Sequence, residues 1–380
     1  MLFRSVNHPL DCPICDKSGE CDLQDQSFGY GSPYMRTTEE RRTYVDLDMG
    51  PVIKKNMNRC IHCTRCIRFG DEVAGIREMV ALQRGNNTEI TTIDGRPLET
   101  EYAGNYSDIC PTGSLTLKDF RFKKRAWFLK KTPTTCEGCS RGCAMELQQE
   151  ANVIYRCIAR ENLEVNRYWI CDEGRFNYRY LQESDRVIEP AVLKSGSLQM
   201  AAWKDSVVHA REALQGKKLA VLIGSDLTLE EAKAIQQFVS GKLAGAPLFH
   251  FGTAGIVSSK DDDAADALLK RKSRTSNLHG MEKLGIAGFT SLPAGTQAVL
   301  VFRGGRAELP KLDGVAVVGV GVFKRPESAR FAAVLPGAAF AEKDGTVVNF
   351  LGMEQKLRRA IAAPRECRPV SEILMMWANL

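Results

Sequence analysis

The apolar pattern of the chain changes part of the way along it. Over the first half, apolar residues come in short, interrupted runs, and from about residue 188 they come in blocks rich in Ala, Val, Leu and Gly. Residues 1–34 carry Pro9, Pro13, Gly19, Gly29, Gly31 and Pro33, which break any long helix or strand. A loop-rich segment is expected there, folded around something other than its own core. Thr43-Tyr44-Val45-Asp46-Leu47 predicts a strand, Ile67 to Arg77 a short helix, and Thr88 to Ile93 a strand that turns at Asp94-Gly95. Leu147 to Ala159 predicts extended chain with a turn at Asn152. Further on, Lys218 to Ile223, Ala298 to Phe302 and Val315 to Val318 predict buried strands, with Gly224 ending the first. Leu229 to Leu243 has helical spacing, and strand alternating with helix predicts a parallel α/β layer. The acidic run Asp261 to Asp263 predicts a solvated turn or helix start. No internal repeat is present.

These shifts divide the chain at 1–34, 35–131, 132–187 and 188–380. At 380 residues, with 44% hydrophobic and 26% charged residues, the composition is that of a globular protein of two or three domains. The longest apolar run, Gly314 to Phe323, is too short to cross a bilayer, and the N-terminus lacks a signal-peptide pattern. A non-secreted protein in a reducing compartment is expected. The net charge of +6 gathers partly in Lys118 to Lys131, where aromatics alternate with Lys and Arg. Nucleic-acid binding through that stretch is one reading. A solvated or partner-facing connector is the simpler one, and no nucleic-acid partner is expected.

The chemistry lies in the thirteen cysteines, eleven of which, with one histidine, fall into three sets of four. The strongest is Cys60-x2-Cys63-x2-Cys66 followed by the distant Cys110-Pro111. Three closely spaced thiols and a remote Cys-Pro form the bacterial ferredoxin pattern for a cubane iron–sulfur cluster. The first set is His8-x3-Cys12-x2-Cys15-x5-Cys21, in which three thiolates leave one iron for His8. A neutral imidazole removes one negative charge relative to a thiolate and should ease reduction. The third set is Cys136-x2-Cys139-x3-Cys143 with remote Cys171. Zinc competes for this set, although zinc modules usually present two separated Cys pairs. His62 is expected to be a bystander, since its set already has four thiols. Arg59, Arg65 and Arg68 either offset cluster charge or face solvent, and Cys157 and Cys367 are expected to be buried, inert thiols.

The stretches His8 to Asp16 and Gly19 to Asp25 resemble the large iron–sulfur subunit of bacterial NADH:quinone oxidoreductase, respiratory complex I. So do the Cys60 triplet with Asp108-Ile-Cys-Pro-Thr-Gly113, and Cys136 to Cys143 with Trp169 to Phe176. The resemblance implies α+β, ferredoxin-like iron–sulfur domains followed by an α/β parallel-sheet domain of molybdopterin-oxidoreductase type. It implies three [4Fe-4S] clusters, one held by His8, Cys12, Cys15 and Cys21, and the third in a structural role. Val334-Leu-Pro-Gly337 and Ala341 to Asn349 are similar to the molybdopterin domain. Active members usually place a Lys directly after the fourth cluster Cys, where this chain has Asp172. That domain is also short, so no molybdopterin is expected. Gly319-Val-Gly321 lacks the third Gly of a dinucleotide fingerprint, so no NAD or FMN is expected either.

Family members usually begin with a [2Fe-2S] domain. Only seven residues precede His8, so the chain is read either as a fragment or as a variant without that cluster. The partners implied are the flavoprotein, [2Fe-2S], two-cluster ferredoxin-like and quinone-site subunits of the complex. The implied place is peripheral, on the cytoplasmic side of the bacterial inner membrane, meeting the membrane only through the complex. The corresponding subunit of an NAD-linked hydrogenase or formate dehydrogenase is the alternative. A zinc-binding nucleic-acid protein is the distant one.

Overall fold

The computed structural model describes residues 7–32, 34, 38, 40–243, 245–305, 307–322 and 326–379. Pro33, the first six residues and Phe323 at the end of the apolar run lie outside them. The N-terminal segment is less irregular than its prolines and glycines suggest. After a 3₁₀ turn over Cys12–Ile14, a helix runs from Asp22–Tyr30 and ends where the Gly31 N–H reaches the Ser27 carbonyl. None of its residues is buried, and Phe28 is 94% exposed. Charged straps hold the segment in place instead of a core. Arg59 donates twice to one oxygen of Asp11 at 3.0 and 2.8 Å, and Arg156 forks onto both oxygens of Glu20 at 2.8 and 2.6 Å.

Strands β1 (Ile53–Lys55), β2 (Met79–Leu82), β3 (Glu89–Thr92) and β4 (Leu115–Leu117) form two antiparallel pairs, β1 with β4 and β2 with β3. The expected strand at Thr43–Leu47 does not form; the one bridge nearby joins Asp48 to Lys54. The Asn58 side chain takes the place of a neighbouring strand. It accepts from the Tyr44 N–H at 2.8 Å and donates to the Tyr44 carbonyl at 3.1 Å. The helix expected from Ile67 begins at Arg65, widens to a π-turn over Phe69–Ala74 and stops at left-handed Gly75.

Three antiparallel strands follow, β5 (Lys130–Thr135), β6 (Ala144–Glu150) and β7 (Val153–Ala159). Ala151 and Asn152 both take positive φ between β6 and β7, as a tight hairpin turn requires. The basic stretch leading into β5 is internally paired. Lys118 meets Asp48, Arg121 meets Asp16, Lys123 meets Asp119 and Lys124 meets Glu150. Of these pairs Arg121–Asp16 reaches the N-terminal segment, while Lys130 and Lys131 at the end of the stretch are exposed.

The C-terminal part is an eight-stranded sheet. Its strands are β8 (Ala191–Lys194), β9 (Ser197–Met200), β10 (Leu219–Gly224), β11 (Leu248–Phe251), β12 (Ala287–Gly288), β13 (Ala298–Phe302), β14 (Ala316–Gly321) and β15 (Ala333–Pro336). Their order is β12-β11-β10-β13-β14-β15-β8-β9, parallel from β12 to β15, with the β8–β9 hairpin antiparallel at one edge. Helix Leu229–Lys242 opens with a capping box between Thr228 and Glu231 and buries Ala232, Ile235 and Val239. Helix Val370–Asn379 packs on it, with Trp377 edge-on to Phe238 at 6.3 Å.

A last hairpin, β16 (Gly345–Val348) with β17 (Glu354–Leu357), returns to the first half of the chain. The Thr135 hydroxyl reaches the Lys356 carbonyl at 3.0 Å, and the Arg358 N–H reaches the Thr134 hydroxyl at 3.1 Å. One apolar cluster therefore runs from Met49 through Leu147 and Phe340 to Ile361. Asp262 departs from the solvated role expected of it. It is 3% exposed, accepts from Ser140, from the Ser273 N–H and faces His279 at 3.2 Å. Among the described residues no helix is long and apolar enough to cross a membrane.

Ile235 is fully buried between its helix and the sheet. Ile235→Ala is expected to lower stability by about 2–5 kcal/mol, read from denaturant unfolding followed by circular dichroism.

Candidate metal centres

Cys60, Cys63, Cys66 and Cys110 come from two distant segments and line one cavity. The loop that carries the first three is shaped by two non-glycine residues in the left-handed region, His62 at φ 52° and Thr64 at φ 59°. Such residues are uncommon, and here they fold the loop back on itself between its thiols. The remaining wall is mostly apolar, with Ile61, Met79, Ile90 and Leu115, while Lys55 and Arg65 are its cations. The His62 N–H points at the Cys60 sulfur at 3.4 Å. Burial pushes the Cys66 thiol up to about 12 and raises Cys60 too, the neighbouring thiols adding to the shift. Protonated, buried thiols must give up their protons to become ligands, so occupation and deprotonation are coupled.

Cys136, Cys139, Cys143 and Cys171 line a second cavity together with Glu173, Leu269, Lys270 and Arg274. All four thiols are buried. The Cys136 sulfur accepts from the Gly138 N–H and the Cys171 sulfur from the Gly174 N–H, each at 3.3 Å. A methyl group on Gly174 would stand 3.0 Å from the Cys136 sulfur, so the close approach needs glycine there. Lys270 enters from the C-terminal half and pairs with Glu101 at 2.6 Å, while Arg274 pairs with Glu173. Asp172 points away from this chemistry and accepts from the Gly104 N–H at 2.7 Å.

The first set is the least enclosed. Cys15 and Cys21 are buried, Cys12 is exposed, and the charges felt at Cys21 are those of Cys15 and Cys12. His8 lies beside Arg59 and Asp11, and burial and then Arg59 lower its pKa, which favours the neutral, ligand-competent ring. Its Nδ1 is buried without a hydrogen-bond partner. The set abuts the Cys110 loop, because a methyl group on Gly113 would collide with the Cys15 sulfur.

Among the described residues no three His, Cys, Asp or Glu side chains converge as a single ion requires. Zinc would draw four sulfurs to about 2.3 Å from one point. A different cavity, of about 600 Å³, lies at the starts of β10, β11 and β13, and no cysteine lines it. His62 does not line the cavity of the Cys60 quartet, and Cys157 and Cys367 are buried elsewhere, Cys157 against the Met145 sulfur at 3.3 Å.

Sequence reasoning missed the groups that connect the two thiol quartets. Arg175, fully buried, forks onto Asp108 at 3.2 and 2.5 Å and also reaches the Cys157 carbonyl and Asn105. Asn105 in turn pairs with the backbone of Ile170, beside Cys171. Asp108 and Arg175 lie inside the stretches that carry the resemblance, but nothing in their spacing announces a bond between them.

Four family descriptions match successive parts of the chain. Residues 4–36 match the NADH-ubiquinone oxidoreductase-G iron-sulfur binding region, and residues 50–116 the ferredoxin-like domain of NADH-quinone oxidoreductase subunit 3. Residues 129–183 match the molybdopterin oxidoreductase Fe4S4 domain, and residues 313–378 molybdopterin oxidoreductase. The G-type subunit of NADH-quinone oxidoreductase from Rickettsia felis is 41% identical over 60% of this chain and 35% of its own length. Its Streptomyces coelicolor counterpart is 38% identical over 62% of this chain and 28% of itself. The NADH-ubiquinone oxidoreductase 75 kDa subunit of Reclinomonas americana is 34% identical over 72% of this chain and 40% of itself. The chain thus spans roughly a third of the length of these relatives. Among solved structures, an NAD⁺-reducing [NiFe]-hydrogenase is 26% identical over 32% of this chain and 54% of that one, with a TM-score of 0.30, too low to bear on the fold. The fold class is ferredoxin-like iron–sulfur domains followed by a molybdopterin-oxidoreductase-type α/β domain.

Gly113→Ala is expected to displace Cys15, at a cost of about 1–3 kcal/mol for the overpacking. Alkylation of Cys15 in the metal-free chain, followed by mass spectrometry, should speed up while the Cys60 quartet reacts as before. An unchanged Cys15 rate would mean the sulfur has room to move.

Proposed function

We propose that this chain, a relative of the large iron–sulfur subunit of NADH-quinone oxidoreductase, serves as an electron-transfer subunit of such a complex. The observation that carries the reading is the gathering of Cys60, Cys63, Cys66 and Cys110, and of Cys136, Cys139, Cys143 and Cys171, around one cavity each. The proposed ligands of three [4Fe-4S] clusters are those two quartets and the set His8, Cys12, Cys15 and Cys21. Bound there, a cluster takes up and releases single electrons without breaking a substrate bond.

The chain's own residues provide the setting. The apolar wall of Ile61, Met79, Ile90 and Leu115 covers part of the second quartet, of which Cys66 and Cys110 are buried and Cys60 and Cys63 half-buried. Backbone N–H groups aimed at Cys60, Cys136 and Cys171 stabilise sulfur as a thiolate. At the first set, the unpartnered Nδ1 of His8 is a nitrogen with nothing else to bind. The third quartet is read as structural, because residues beside it bind the helix Gly104–Ile109 and the β16–β17 hairpin, and Lys270 of its lining binds Glu101. The neighbours proposed are a flavoprotein that supplies electrons and iron–sulfur subunits that carry them toward quinone, on the cytoplasmic side of the inner membrane.

Anaerobically purified protein is expected to hold up to about twelve irons with equal acid-labile sulfide. Stoichiometric zinc without sulfide would overturn the reading. His8→Ala should alter one low-temperature electron paramagnetic resonance signal and leave the Cys60-set signal intact, and an unaltered spectrum removes His8 from the ligands.

A further inference from the structure

Lys55 is an unusual residue to find where it is. It stands on β1 two positions after Ile53, and both are turned into the interior, at 2% and 0% exposure. Lys54 between them faces outward, where it meets Asp46 at 3.4 Å. The inward position is one that strand alternation reserves for apolar side chains. Burying an ammonium group there is costly unless negative charge compensates it. The compensation supplied by the fold is thin. One carboxylate oxygen of Glu89 lies 3.5 Å from the Lys55 nitrogen, and Glu89 is itself partly exposed. The other cation of the same cavity, Arg65, is half-exposed and faces Asp22 at the surface.

Lys55 lines the same cavity as the Cys60, Cys63, Cys66 and Cys110 quartet. We infer that Lys55 sets the reduction potential of the group those thiols hold, by keeping a buried positive charge against it and so favouring its reduced, more negative form. This rests on the proposed cluster at that quartet. The step concerned is uptake of one electron with no proton transferred and no bond broken. The added negative charge is met by an ammonium already in place, in surroundings where charge is poorly screened. Glu89 works in the opposite sense, since it neutralises part of that charge.

The test is a mediated redox titration of the anaerobic holoprotein, followed by the electron paramagnetic resonance signal of the Cys60-set centre. Lys55→Met is expected to lower the ratio of reduced to oxidised centre about tenfold at a fixed solution potential, equivalent to ~59 mV for a one-electron couple. Lys55→Arg should stay close to the unaltered protein, and Glu89→Gln should shift the midpoint upward. The other signals should hold their midpoints. An unshifted midpoint in Lys55→Met overturns the inference, as does a downward shift in Glu89→Gln. Should Lys55→Met fail to assemble the centre, Glu89→Gln decides alone: an upward shift supports the inference and an unmoved midpoint overturns it. If the unaltered protein shows no Cys60-set signal at all, the cluster reading of the quartet fails first, and the role of Lys55 goes with it.

Discussion

The Arg175–Asp108 fork is the joint on which the arrangement of the thiols depends. Asp108 stands two residues before Cys110, and Arg175 stands four after Cys171, so the pair ties the remote cysteine of one quartet to the remote cysteine of the other. Arg175 has no exposed surface. Removing one partner of such a buried pair typically costs about 3–5 kcal/mol, because it leaves the other charge uncompensated. The carbonyl of Cys157 and the side chain of Asn105 occupy more of the guanidinium's donors. Gly104 is part of the same joint, since any side chain there would strike Arg175.

Around that joint the chain uses two different means of cohesion. From β8 onward it buries whole strands and helix faces, with the buried Lys343–Glu231 ion pair set among them. The N-terminal segment has no such face and is held by directional charge: Asp11 on Arg59, Asp16 on the Phe122 N–H, Glu20 on Arg156, and Arg125 on the Cys15 carbonyl. On the proposed function the difference has a reason: a segment that wraps a thiol-held group presents sulfur and backbone inward, which leaves few apolar side chains to pack.

Where the amino-acid pattern misled, the cause was tertiary in every case but one, the helix Asp22–Tyr30. Thr43–Leu47 has strand composition, but the amide of Asn58 satisfies its backbone in place of a neighbouring strand. Asp22–Tyr30 forms a helix despite Gly29, with acidic residues in its first turn, where the helix dipole favours them. Asp262 sits in an acidic run that resembles a solvated turn, yet Ser140, Ser273 and His279 draw it inside. The basic stretch 118–131 looked free only because its partners Asp16, Asp48 and Glu150 lie far from it in sequence.

The sequence by itself determined the local elements and the grouping of candidate ligands. Continuous apolar runs specify strands such as Ala298–Phe302, apolar positions three to four apart specify the helix Leu229–Lys242, and close thiol spacing specifies which cysteines can act together. These are short-range properties, set by backbone geometry within a few residues. Only the tertiary structure decided that Lys55 points into the cavity lined by the Cys60 quartet, and that the β16–β17 hairpin comes back to seal the first half of the chain. Those outcomes depend on which charges and surfaces meet across long stretches of chain, and no local period encodes such meetings.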